Sequence, residues 1–318
     1  MKKLFTLMMC AMMSFMLVAC SDSGKVTIGV IQYAEHPALD QAYEGFVDGL
    51  KEGGYKDAKI EKKNASGDQS NCDTIASKFV NDNVSLIYSI ATPAAQAAAS
   101  KTSDIPIVLS AVTDPESSGL VKSNKKPGNN VTGTSDLTPV ESQLELLTQL
   151  VPEAKTVAIM YCNAEQNSIF QADLAKEQCK KLGLEYTEAT VTDSNQIQQV
   201  TESLIGKVDA IYIPTDNLLA EGMATVAQVA NENNLPCIVG EEGMVGNGGL
   251  ATYGIDYYEL GKKAGLMAAK ILDGEDPAEM AIEYLPSENC ALTINTTVAK
   301  KLGITIPSDL EAKATLVE

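Results

Sequence analysis

Residues 25–54 read KVTIGVIQYAEHPALDQAYEGFVDGLKEGG. Val26, Ile28, Val30 and Ile31 form a nearly continuous β-branched run, the pattern of a parallel strand covered on both faces. A loop follows from Gln32 to His36. Pro37 then stands where a first-turn proline belongs, and Leu39, Ala42, Tyr43, Phe46, Val47 and Leu50 recur at helical spacing until Gly53 and Gly54 stop the helix. Strand, loop and helix make half of a βαβ unit. Ligands of open parallel sheets bind beyond the carboxyl ends of the strands, so the 32–36 loop is the first place to look for a site.

Outward from that unit the alternation continues. An edge strand is expected over 59–62, a helix over 72–80, a strand over 85–90, and a helix opening at Thr92 as N-cap with Pro93 at N1. A strand over 105–109 and a polar loop over 122–130 close the first series. A second series starts near Val131, with helices over 140–150, 169–182 and 195–205, then one after Asn217, and strands over 156–161, 184–189, 208–213 and 236–239. The two run in parallel: KVTIGV at 25–30 matches KTVAIM at 155–160, and IYSIAT at 87–92 matches AIYIPT at 210–215. The expected fold is α/β, with two doubly wound parallel-sheet lobes and a ligand cleft between them. The tail supplies strands over 250–255 and 291–294, helices over 258–271 and 298–302, and the crossovers of a multi-strand hinge. The expected lobes are 25–134 with 253–286, and 135–252 with 287–318.

The beginning of the chain carries a separate signal. Met1, Lys2 and Lys3 precede an apolar, Met-rich stretch over 4–18 that ends Leu17-Val18-Ala19-Cys20. These are the parts of a secretory signal peptide, 1–19, too short and wrongly flanked for a spanning helix. The Leu-Val-Ala-Cys ending resembles a bacterial lipobox, which implies lipidation at Cys20, followed by a polar tether, 20–24.

The 318 residues carry a net charge of -18, and every one of the 24 basic residues is lysine. Loss of 1–19 removes Lys2 and Lys3 and leaves 22 lysines against 42 acidic residues, a charge of -20. Such a surface repels nucleic acid and anionic lipid, so contact with a membrane is expected through the N-terminal lipid only. Without arginine no bidentate clamp is available for a carboxylate, which falls to lysine, hydroxyls or helix N-termini. Cys72, Cys162, Cys179, Cys237 and Cys290 are an odd number at wide spacing, neither a disulfide framework nor a zinc site, and read as small buried hydrophobes.

Polar residues collect just after the strands. In the first lobe they include Tyr33, Glu35, His36, Ser66, Asp68, Thr92, Gln96, Thr113 and Asp114. In the second they include Gln166, Asn167, Ser168, Thr192, Asp193, Thr215, Asp216, Asn217, Glu241 and Glu242. Any one of Thr92, Asp114, Ser168 and Asp216 reads first as a helix cap; their shared position is what points to a cleft. His36 is the only histidine, which excludes histidine-rich metal sites and leaves only catalytic arrangements built on His36 itself. No G-x-S-x-G, P-loop or post-strand G-x-G-x-x-G is present. No catalytic residue, metal or cofactor is expected.

Several stretches carry a family resemblance. QYAEHPALD (32–40), IATPAAQ (90–96), SAVTDP (110–115), NVTGTSD (130–136), IPTDN (213–217) and GIDY (254–257) together resemble the substrate-binding lipoproteins of ABC importers, in particular the tryptophan/tyrosine-type group. The resemblance covers essentially all of the chain after the signal. It implies a type I periplasmic-binding-protein fold closing on a small solute, an aromatic amino acid, with an ABC permease and its ATPase as partners and a lipid-anchored, extracytoplasmic location. The ligand's carboxylate is then expected at Thr92 and the N–H groups of Ala94 and Ala95, its ammonium at Asp216, with Asn217 beside it, or at Glu35, and its ring against Tyr33. His36, Thr113, Asp114, Ser135, Asn167, Ser168 and Thr215 complete the expected set. The alternatives are a sensor subunit of the same fold that binds a sugar or nucleobase, and an enzyme on a related scaffold. A DNA-binding repressor would carry a helix-turn-helix where the signal peptide stands.

Overall fold

The computed structural model describes residues 26–285 and 290–318; the expected signal peptide, Cys20 and the tether lie outside the described residues. The opening unit forms as its pattern demands. Strand β1 (Thr27–Gln32) runs into α1 (Pro37–Glu52), with Pro37 in the first turn and Gly53 at the C-cap. Then come β2 (Lys59–Asn64), α2 (Gln69–Asn81), β3 (Leu86–Ile90), α3 (Thr92–Lys101), β4 (Ile107–Val112) and β5 (Val131–Ser135). The second series is α4 (Val140–Leu150), β6 (Thr156–Cys162), α5 (Gln166–Leu182), β7 (Glu185–Val191), α6 (Ile197–Leu204), β8 (Ala210–Ile213), α7 (Asn217–Glu221), α8 (Met223–Glu232), β9 (Cys237–Val239), α9 (Glu242–Gly246) and β10 (Ala251–Gly254). The tail adds α10 (Tyr257–Leu272), β11 (Glu283–Tyr284), β12 (Ala291–Asn295), α11 (Thr296–Lys301), α12 (Ser308–Glu311) and β13 (Thr315–Val317).

Two sheets result, in the orders β11-β5-β4-β3-β1-β2 and β13-β12-β10-β9-β8-β6-β7. All pairings are parallel except β10 with β12. Two expectations shift. β5 pairs with β4, so the stretch from Val131 closes the first sheet rather than opening the second series. The expected boundary at 252/253 falls inside β10, whose pairing with β9 and β12 places that crossover after Gly254.

Each sheet is covered on both faces. In the first lobe α1 and α10 pack one side, around Phe46, Tyr88 and Leu260, and α2 and α3 the other, around Phe79, Ile87 and Leu109. Phe46 stacks on Tyr88 at 3.7 Å between ring centroids. Helices α1 and α10 meet backbone to backbone. A Cβ on Gly45, Gly49, Gly261 or Gly265 would stand 1.9, 2.1, 2.0 or 2.3 Å from a carbonyl oxygen of the opposite helix. In the second lobe Gln143 of α4 is fully buried; its amide donates to Gly240 O and Tyr253 O and accepts from the Tyr212 hydroxyl at 2.7 Å, tying α4 to β8, β9 and β10.

Candidate functional site

The carboxyl ends of the two sheets face each other across a closed cleft. A small cavity lies between them, with His36, Leu39, Ala111, Thr113, Asp136 and Tyr257 on one wall and Asn167, Thr215, Asp216, Asn217, Ala220 and Glu241 on the other. Hydrogen bonds cross directly between the lobes. His36 Nε2 stands 3.4 Å from Asn217 Oδ1, Gln171 Nε2 donates to Thr113 Oγ1 at 3.1 Å, and Gln96 Nε2 donates to Gln166 Oε1 at 2.7 Å.

Six expected residues line the cavity: His36, Thr113, Asn167, Thr215, Asp216 and Asn217. His36 occupies the N-cap position of α1 but makes no capping bond; burial pushes its imidazole down to about 4, so it is neutral, and its Nδ1 has no partner. Asp216 is fully engaged as a cap. Its Oδ1 accepts from Leu219 N at 2.8 Å and its Oδ2 from Cys162 N at 2.6 Å.

The other expected residues stand elsewhere. Glu35 is exposed, outside the lining. Tyr33 lines an outer inter-lobe cleft with Ser66, Cys162 and Glu165, its hydroxyl donating to Gly67 O, so Tyr257 rather than Tyr33 is the aromatic face of the cavity. Thr92 is the first residue of α3, not its cap; Ala91 holds that place, and Thr92 Oγ1 is buried without a partner. Ala94 is buried beside it, while the Ala95 N–H is already given to Ala91 O. Asp114 stabilises its own loop through Ser117 N and Asn124. Ser135 donates to Thr113 O at 2.6 Å and so fixes the backbone beneath a lining residue. Ser168 sits inside the first turn of α5, which begins earlier than its apolar spacing indicates, and its Oγ accepts from Asn167 Nδ2.

Three residues at the site, Asp136, Glu165 and Gln171, escaped the sequence reading, and a fourth, Glu241, was grouped with the residues after strands but given no role toward the ligand. Asp136 follows β5 directly and is buried; Tyr257 donates to its Oδ2 at 2.8 Å, Thr113 stands beside it, and burial pushes its carboxyl up to about 6. Glu241 caps α9 through Gly243 N and Met244 N, and burial raises it to about 7, while its neighbour Glu242 is exposed. Glu165 receives Leu218 N at 3.1 Å and the Asn217 amide; burial, then the Asp216 charge, raises it. Gln171 bonds Thr113 and Thr215 from α5. The legible signal was position after a strand, which Asp136 and Glu241 share; an acidic chain offers nothing to single them out.

The floor of the cleft is strained. Ala91 at φ 83° and Ala111 at φ 55° occupy left-handed backbone that L-residues rarely adopt, at the ends of β3 and β4. Gly133 at φ 147° lies against β4, where a Cβ would fall 2.1 Å from Leu109 O.

The model of the ABC transporter substrate binding protein family matches residues 27–318. The chain belongs to that family. It is 44% identical over 288 residues to a tyrosine-binding protein of Clostridioides difficile, covering 89% of this chain and 83% of the relative. The ABC domain of Streptococcus pneumoniae in complex with L-Trp superposes with a TM-score of 0.89 at 40% identity, covering 92% of this chain and all of that one. The ligand-free, open structure of a Clostridium difficile substrate-binding protein, 44% identical over 92% of this chain and 99% of its own, gives a TM-score of 0.70. The lobes here stand closed, as the inter-lobe bonds require. The architecture is that of type I periplasmic binding proteins. No helix among the described residues is long and apolar enough to cross a membrane.

Proposed function

We propose that this protein is the extracytoplasmic, lipid-anchored receptor of an ABC importer, capturing an aromatic amino acid between its lobes and delivering it to a permease driven by an ATPase. The observation that carries the reading is the lining of the closed cavity. Asp136, Asp216 and Glu241 supply acidity, no lysine is among the lining residues, and Leu39, Ala111, Ala220 and Tyr257 supply apolar surface. A ligand with one cationic group and an apolar body matches that set. The names of the tyrosine-binding and L-Trp-bound relatives support the same class.

For the ligand's carboxylate the reading keeps the start of α3, which lies outside the cavity lining but where Thr92 Oγ1 lacks a partner and the helix N-terminus favours an anion. Cys20 carries the lipid. Thermal unfolding of a chain beginning after Cys20, against amino acids, purines and sugars, tests the receptor. A ligand at about 100 times its dissociation constant adds roughly 2.7 kcal/mol. A rise with tyrosine, tryptophan or phenylalanine alone is expected; a rise only with a sugar or nucleobase overturns the ligand class. The anchor is tested by Cys20→Ala, which is expected to release the full-length protein from membranes.

A further inference from the structure

Four buried carboxyls surround the cleft, and they differ in what their oxygens already hold. Asp216 receives a backbone N–H on each oxygen, from Leu219 and Cys162. Glu241 receives Met244 N and Gly243 N, one on each oxygen. Glu165 receives Leu218 N on one oxygen and the amides of Asn217 and Asn167 on the other. These three hold helix starts and the turn after β6 in place. Asp136 is different: Tyr257 occupies its Oδ2, and its buried Oδ1 has no hydrogen-bond donor. Asn167 shows the same asymmetry from the other lobe. Its Nδ2 lies 3.3 Å from Glu165 Oε2, 3.2 Å from Ser168 Oγ and 3.2 Å from Thr215 O, which fixes the amide's orientation and leaves Oδ1 buried and unpartnered.

An ammonium group has three donors, no acceptor and a charge to balance. Unpartnered buried acceptors on two walls of one closed cavity, one of them a carboxylate, fit that requirement. We propose that Asp136 of the first lobe and Asn167 of the second jointly receive the ammonium group of the ligand, and that Asp216 is a positioning residue holding α7 and the turn after β6. The inference rests on the aromatic amino-acid reading and names the atoms that serve it. It also makes the nitrogen the group that joins the lobes, since its two acceptors come from opposite sides of the cleft.

The test is calorimetric titration of L-tyrosine and of its des-amino analogue, 3-(4-hydroxyphenyl)propionate, into the wild type, Asp136→Asn, Asn167→Ala and Asp216→Asn. Asp136→Asn is expected to weaken L-tyrosine about tenfold to a hundredfold and leave the des-amino analogue within about threefold. Asn167→Ala is expected to act in the same direction and more weakly, and Asp216→Asn to lower the melting temperature while shifting both ligands alike. An Asp136→Asn protein that keeps its affinity for L-tyrosine, or weakens both ligands equally, overturns the assignment. Wild type that binds no aromatic amino acid instead overturns the reading beneath it. A crystal structure of the wild-type tyrosine complex decides the matter without any variant: the ligand nitrogen lies within hydrogen-bond distance of Asp136 Oδ1 or it does not.

Discussion

Gln171 Nε2 donates to Thr113 Oγ1 across 3.1 Å, linking the first turns of α5 to the loop beyond β4 in the opposite lobe. The same amide nitrogen reaches Thr215 O at 3.3 Å. Gln171 is fully buried and touches both lobes, so its bonds to Thr113 belong to the closed arrangement. Gln171→Leu keeps the bulk and removes the amide. A buried hydrogen bond contributes roughly 1 kcal/mol net, so ligand affinity is expected to fall about fivefold to tenfold. Calorimetry reads the loss, and small-angle scattering of the ligand-free variant is expected to give a larger radius of gyration than wild type.

The contact between α1 and α10 has no room for a methyl group. Gly45→Ala would set a Cβ 1.9 Å from Tyr258 O and Gly49→Ala one 2.1 Å from Lys262 O, both backbone atoms. Either is expected to destabilise by about 1–3 kcal/mol or more in urea unfolding. Gly246→Ala, where a Cβ meets nothing within 4 Å, is the control and is expected to change little.

Acid is expected to move stability and affinity in opposite directions. Burial holds Asp136 at about 6 and Glu241 at about 7, and raises Glu165 and Asp216 as well. A raised carboxyl contributes stability that is fully present below its unfolded value and lost as pH rises through its folded value. His36, depressed to about 4, acts in reverse, its contribution fading as pH falls from about 6.5 toward 4. Between about pH 8 and about pH 6 the carboxyls dominate, and the urea midpoint of the ligand-free protein is expected to rise on acidification. Affinity for an aromatic amino acid is expected to fall below about pH 6, as Asp136 gains the proton that replaces the ammonium. Titrations at two pH values on one preparation check both signs.

The thiols are expected to be silent in the native state. Cys72, Cys162, Cys179 and Cys237 are buried, and desolvation raises each above the ordinary thiol range; among the described residues Cys290 alone is a partly exposed thiol. A chain beginning after Cys20 is expected to show one slowly reacting thiol toward a chromogenic disulfide reagent, and five in denaturant. Fast reaction of two or more native thiols would contradict this burial.

The fold was legible where packing follows period. The apolar runs at Ile28 and Ile211 lie in interior strands of their sheets, and the helical spacing of Leu39, Ala42 and Phe46 marks the face that α1 buries. What escaped is set by distant partners. β13 has no pattern of its own beyond its place beside β12, and β5 reads as the start of something new until its pairing with β4 is seen. The site divides in the same way. Position after a strand found His36, Thr113, Asn167, Thr215, Asp216 and Asn217, but which oxygen of which carboxylate remains free depends on backbone N–H groups that no sequence displays. Asp216, expected at the ligand's ammonium, lines the cavity and also caps α7; Asp136, read only as the end of a motif, holds the unpartnered atom.

The glycine-packed seam between α1 and α10 joins residues 37–52 to residues 257–272. During synthesis from the amino end, the first lobe therefore waits for its last helix until the core strands of the second have been made. Phe46, Leu50 and Ala42 spend that interval without the surface that finally covers them. The lobe that begins first is completed late, and the period of greatest risk from aggregation or proteolysis falls between the emergence of residue 52 and that of residue 272.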